Sequence, residues 1–158
     1  MGNNILDGLG VGNYFDVEGV PTQQSKAQVE KFKADTINID AGSKLQIKLL
    51  LSQVESYITS NRSAVQKQVD LLGTSESIIK KQLKDFSDDN TVKDLKKQAV
   101  SSEILNIAYT SYSDYYSNMQ ELKYRLAIIT YKRDTLKTEL KEYDDKIKII
   151  QDYSSAIS

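Results

Sequence analysis

Apolar side chains recur with strict three-four spacing over fifty-three positions of the carboxy-terminal half. The seam reads Leu105, Ala108, Tyr112, Tyr115, Met119, Leu122, Leu126, Ile129, Arg133, Leu136, Leu140, Tyr143, Ile147, Ile150, Ser154 and Ile157, with fourteen of the sixteen positions apolar. A period held at 3.5 over seven heptads, with no drift towards 3.6, makes one helix supercoil around another. No glycine or proline follows Gly73 in the remaining 85 residues. At about 1.5 Å per residue the seam would extend roughly 80 Å, so the expected build is a rod.

The same spacing runs through Ile47, Leu51, Val54, Ile58, Asn61, Val65, Gln68 and Leu72, where six of eight positions are apolar. Ser43 is read as the N-cap of this helix. Gly73 is read as its end, because glycine best adopts the left-handed conformation of helix C-termini. Thr74 and Ser75 then open a further segment with Ile79, Leu83 and Phe86 on one face. Ser87-Asp88-Asp89-Asn90 predicts a reversal, since short polar side chains compete for backbone hydrogen bonds, and Asn90 or Thr91 would cap the long helix. A short helix over residues 24–35 precedes these elements, and Thr36 to Asp40 alternates polar and apolar as an extended linker.

Five of the seven glycines and the only proline, Pro21, lie in the first 21 residues. This stretch reads as a flexible arm, yet Ile5, Leu6, Leu9, Val11, Tyr14, Phe15, Val17 and Val20 make it too apolar for a solvated tail. It is expected either to lie on its own helices or to reach a neighbouring subunit. The predicted organisation is therefore all-α. It is an elongated antiparallel helical hairpin or bundle with helices near 24–35, 43–72, 75–86 and 91–155, one of them very long and coiled-coil-like. An extended amino-terminal arm over residues 1–22 precedes the helical domain of residues 23–158. The first limb of the hairpin is shorter than the second, so residues 136–157 need cover from the short helix, the arm or another chain.

Composition narrows the chemistry. The chain has 158 residues, 21 Lys plus Arg, 22 Asp plus Glu and a net charge of -1, which removes the electrostatic argument for a polyanionic partner. With no Cys, His or Trp, thiolate and imidazole metal sites and Cys or His catalysis are excluded. Gly8-Leu9-Gly10-Val11-Gly12 lacks the Lys-Ser or Lys-Thr of a phosphate loop, and Leu6 stands where a myristoylation motif needs Ser or Thr. Asp88-Asp89 and Asp144-Asp145 each diverge by about 100° on a helix and form no chelate. No catalytic, cofactor or metal residues are expected. The longest plain aliphatic run is Leu49, Leu50, Leu51, so neither a membrane span nor a signal peptide is predicted.

Eight of the ten tyrosines fall between Tyr109 and Tyr153. Tyr109 with Tyr116, and Tyr124 with Tyr131, are read as flanking the seam and widening it towards a multi-helix core or a protein-protein contact. Arg133 interrupts the seam; the favoured expectation is that its long side chain escapes to solvent, the other that it pairs and fixes register.

The candidate protein interface is Leu6, Leu9, Tyr14, Phe15, Tyr109, Tyr116, Tyr124 and Tyr131. The functional expectation is a non-enzymatic structural or assembly subunit, a homo-oligomer contacting neighbouring structural subunits. Its concrete version is a virion component such as a bacteriophage head-tail connector or tail ring, otherwise cytoplasmic. The competing expectation is a coiled-coil binding module such as a secretion chaperone or adaptor.

Overall fold

The computed structural model describes the backbone of residues 3–88 and 102–157, with side chains for residues 5–85, 114 and 116–157. The chain is all-α. Helix α1 is Asn3–Gly8, a 3-10 turn follows at Gly12–Tyr14, α2 is Lys26–Thr36, α3 is Ala41–Asp88 and α4 is Ser102–Ala156. Helices α3 and α4 form an antiparallel hairpin. Among the described residues there is no strand, only an isolated bridge between Phe15 and Pro21.

Two helix starts follow from local capping. The Ser25 hydroxyl accepts from the Gln28 N–H at 3.2 Å and opens α2. At α3 the cap is Asp40, not Ser43: its carboxylate accepts from the Ser43 N–H at 2.9 Å and the Ser43 hydroxyl at 2.7 Å. These bonds from Ser43 hold the Asp40 carboxyl below its ordinary value, as expected for an anion at a helix N-terminus. Thr36 to Asp40 is not extended either. Thr36 ends α2, Ile37 keeps helical angles, and a turn leads directly to Asp40.

The predicted break at Gly73 is absent: α3 continues through it to Asp88 as one helix of 48 residues. Of the expected reversal, Ser87 and Asp88 belong to α3, while residues 89 and 90 and the expected caps Asn90 and Thr91 lie outside the described residues.

The chain divides into two compact units, Met1–Gln66 with Thr138–Ser158, and Lys67–Lys137. Unit 1 holds the main core. The expected arm is folded into it: Leu6, Val11, Tyr14, Phe15 and Val20 are buried with Phe32 of α2, Ile47, Leu51 and Ile58 of α3, and Ile149, Ile150, Tyr153, Ala156 and Ile157 at the end of α4. The glycines make this compact path possible. Gly10 and Gly19 have φ of 79° and 86°, a region L side chains rarely adopt, and a Cβ on Gly19 would stand 3.0 Å from Val54.

Between the bridge residues, the Asp16 carboxylate accepts from the N–H groups of Glu18 and Val20 at 2.9 and 3.0 Å, closing the turn. Phe32 lies 5.1 Å from Tyr14, 5.7 Å from Phe15 and 4.9 Å from Tyr153 between ring centroids. The Tyr14 hydroxyl donates to Asp35, and the Tyr153 hydroxyl donates to the Gln23 carbonyl at 3.0 Å. The carboxy-terminal part of α4 is thus covered by its own chain.

In unit 1 the antiparallel register is marked by Gln151 Nε2 donating to Glu55 at 2.8 Å and by Arg62 Nε on Asp144 at 2.5 Å. Seven residues forward on α3 match seven residues back on α4.

Candidate functional site

Among its described residues unit 2 consists of stretches of α3 and α4, and the burial pattern of both follows from their stripes. Every seam residue of α4 from Met119 to Leu136 is half-buried and none is fully buried. In unit 1, by contrast, Leu140, Ile150 and Ile157 on the same stripe are buried. Two helices alone cover one side of each other, so a 3.5-residue stripe keeps its flanks in water unless a third element lies over them.

On α3 the stripe leaves the predicted path. Gln68 is exposed and Val69 takes its place, so the stripe continues through the buried Val69, Glu76 and Ile79 and the half-buried Leu72 and Leu83. The steps 58, 61, 65, 69, 72 insert one extra four-residue spacing, a stutter, which keeps a helix in contact with its partner by locally unwinding the supercoil. Physically the shift puts Val69 in the seam in place of Gln68, while Leu72, Ile79 and Leu83 stand on the face expected of them. It also brings Glu76 inside.

Glu76 meets Arg133. The seam arginine does not run out to solvent; its Nη1 lies 3.3 Å from Glu76 Oε2, while Lys80 Nζ lies 2.7 Å from Glu76 Oε1. Glu76 is 9% exposed. Its carboxyl is held below its ordinary value, first by the hydrogen bond from Lys80 and then, against the cost of burial, by the Lys80 and Arg133 charges.

Gly73 explains how a guanidinium fits here. A Cβ at position 73 would sit 3.2 Å from Arg133 Nη2 and 3.3 Å from its Cζ, so the bare glycine is the notch into which the planar group packs. The residue that looked like a helix end is a mid-helix glycine, tolerated at about 1 kcal/mol relative to alanine. Arg133 Nε is buried without a hydrogen-bond partner among the described residues.

Beside this layer lies an apolar groove of about 510 Å³, lined by Gln68, Leu71 and Leu72 of α3 and by Tyr131, Lys132, Thr135 and Leu136 of α4. Leu71 is 69% and Tyr131 74% exposed. One heptad on from Leu71 is Ile78, and one heptad back from Thr135 is Ile128. The antiparallel run of the helices therefore brings both to the next level of the same side, and both are exposed. Tyr131 also lines a second concavity with Lys123, Leu126, Ala127, Thr130 and Asp134 of α4. Large exposed side chains aligned at heptad spacing are the pattern of an uncovered helix face.

The eight sequence candidates separate into two groups. Leu6, Tyr14 and Phe15 are buried within unit 1, and Leu9 is half-buried against its core, so the structure places these four in the chain's own packing. Tyr116, Tyr124 and Tyr131 are exposed on α4; the Tyr109 side chain lies outside the described residues. Tyr124 and Tyr131 do not flank the seam as expected. Each stands two residues after a seam position, about 200° round the helix, which accounts for their high exposure. Leu72 and Leu136 are seam positions already named, whereas Leu71, Ile78 and Ile128 are not among the sequence candidates, although the Leu71–Ile78 spacing carries the signal.

Among the described residues, no cluster of three or more Asp or Glu is placed to hold a metal ion, and no helix is long and apolar enough to cross a membrane. Comparison with known proteins gave no matching family model, no matching curated protein and no matching solved structure.

Proposed function

We propose that this chain is a non-enzymatic structural or assembly subunit whose unit 2 packs against another protein chain through the Leu71–Tyr131 side of the α3–α4 pair. The observation that carries the reading is the incomplete cover of unit 2. Its α4 seam stays half-buried from Met119 to Leu136, with Leu71, Ile78, Ile128 and Tyr131 exposed alongside. Tyrosine on a rigid helix contributes contact area at low entropic cost, which suits a packing surface.

The folded arm changes what supports this reading. Assembly through an outreaching arm and an uncovered carboxy-terminal helix loses its support, because unit 1 covers both within the chain. A virion role, as in a phage connector or tail ring, rests on analogy of helical build and neutral composition.

The groove favours a second reading: its 510 Å³ between Leu71, Leu72 and Leu136 matches the ridge of a partner helix, as in an adaptor or secretion chaperone. Molar mass by light scattering at increasing concentration tests the proposal. A discrete homo-oligomer is the expected result; a strict monomer that forms a defined complex only with an added client would replace it with the adaptor reading.

A further inference from the structure

We infer that the chain unit 2 packs against, on the reading above, is a second copy of this chain, lying in the same direction and presenting the opposite flank of its own α3–α4 pair. Two different surfaces then meet. Such a heterologous contact repeats from copy to copy and closes a ring or extends a filament.

The groove flank ends in acids. Leu71, Ile78 and Asp85 are spaced by heptads on α3, and Ile128 and Glu121 by one heptad on α4, so all five share that flank. Gly73 beside Arg133 sets the register, and twelve residues on along α3 and twelve back along α4 bring exposed Asp85 level with exposed Glu121. Arg125 lies 2.6 Å from Glu121 and leaves this end net negative.

The opposite flank is basic at the same level. Lys80 stands one heptad after Gly73 and Lys84 one turn further, while Lys123 edges the second concavity on α4. All three are exposed, and among the described residues Lys80 alone of the three has an acidic partner, Glu76 at 2.7 Å. By the same register Lys84 and Lys123 stand at the level of Asp85 and Glu121.

Shape matches where charge does. The concavity runs from Lys123 to Asp134 of α4, and Ile128, with Ile78 level beside it, stands at its midpoint on the other flank. A neighbour placed in register therefore receives the exposed Ile78 and Ile128 ridge over Leu126, Ala127 and Thr130 while Asp85 and Glu121 meet Lys84 and Lys123. One placement satisfies both. Groove against groove in the same direction sets acids on acids, and a neighbour turned end for end parts the acids from the lysines. Exposed pairs of this kind select partner and orientation more than they add affinity.

Sedimentation equilibrium of two variants, each alone and then mixed, tests this arrangement. Leu71→Asp with Ile78→Asp disables the groove flank, and Lys84→Glu with Lys123→Glu reverses the opposite one; all four positions are exposed. Each variant alone is expected to be monomeric at a concentration where the native chain assembles. Mixed in equal amounts they are expected to form a heterodimer that grows no further, because one intact flank of each kind remains. Both variants are more negative than the native chain, whose net charge is -1, so their pairing does not come from opposite net charges.

A native mass for the lysine variant, or a mixture that stays monomeric, would overturn the inference while leaving the Leu71–Tyr131 packing surface standing. A monomeric native chain would overturn both. Should the lysine variant lose its helicity, Lys123→Glu alone is scored in the same way.

Discussion

Gly73 and Arg133 face each other so closely that a Cβ on residue 73 would lie 3.2 Å from the arginine Nη2. An absent side chain on one helix and an excess charge on the other form one packing unit. Helix propensity alone would make Gly73→Ala stabilising by about 1 kcal/mol. Here the gain is expected to vanish in the native background and to return when Arg133→Leu is also present. Gly73→Leu is expected to cost about 1–3 kcal/mol through overpacking. Urea unfolding of Gly73→Ala, Arg133→Leu and their combination, treated as a double-mutant cycle, measures the coupling.

Glu76 gives the acid limb of stability a specific source. Its carboxyl lies lower in the folded chain than its ordinary 4.5, so the unfolded chain binds the proton more readily. Its contribution is complete above pH 4.5 and disappears as pH falls through the folded value. Removing Glu76 is expected to lower the Tm more than removing Glu121, whose pair with Arg125 is exposed on one helix and contributes no more than about 0.5 kcal/mol. The difference between the two variants should shrink at pH 3. Thermal scans at pH 7 and pH 3 check this.

Tyr14 acts at the other end of the pH range. Burial first, then the hydrogen bond to the Asp35 carboxylate, pushes its hydroxyl from 10.0 up to about 12. A raised folded value means stability present below pH 10 and lost between pH 10 and 12. Tyr14→Phe is expected to cost about 1 kcal/mol at pH 7 from the lost hydrogen bond, with a shallower alkaline decline than the native chain. Denaturant melts from pH 8 to 12 would show it.

How much of this was legible in the sequence differs by element. The α4 seam was readable because one period governs it: from Met119 to Ile157 each predicted seam position lies buried or half-buried, Arg133 included. The α3 stripe was readable at Leu72, Ile79 and Leu83 as well as up to Val65, and was missed at Val69 and Glu76. Between those two a glycine invites a helix end, and the reason for that glycine, a guanidinium sixty residues away, has no local signature. Heptad spacing likewise could not separate Tyr131 beside a seam from Tyr131 behind it without counting its offset from Ile129.

The amino-terminal segment was the least readable part. Its packing depends on φ at Gly10 and Gly19 and on ring contacts to Phe32 and Tyr153, neither of which leaves a periodic trace.

That segment now carries its own expectation. Deleting residues 1–20 would uncover Phe32, Ile150, Tyr153 and Ile157, and a fully buried large apolar side chain contributes about 1.5–3 kcal/mol. The truncated chain is expected to unfold at markedly lower denaturant in unit 1. Hydrogen exchange on residues 140–157 should show lost protection, and unchanged protection there would contradict the core described for unit 1.

The claim that the Leu71–Tyr131 side is a packing surface is tested most directly by sedimentation equilibrium of the native chain beside Leu71→Asp with Tyr131→Asp. Both residues are more than two-thirds exposed, so the substitutions should leave helicity nearly unchanged. The native chain is expected to be an oligomer and the variant a monomer at the same concentration. An identical mass for the two, whether monomer or oligomer, would contradict it.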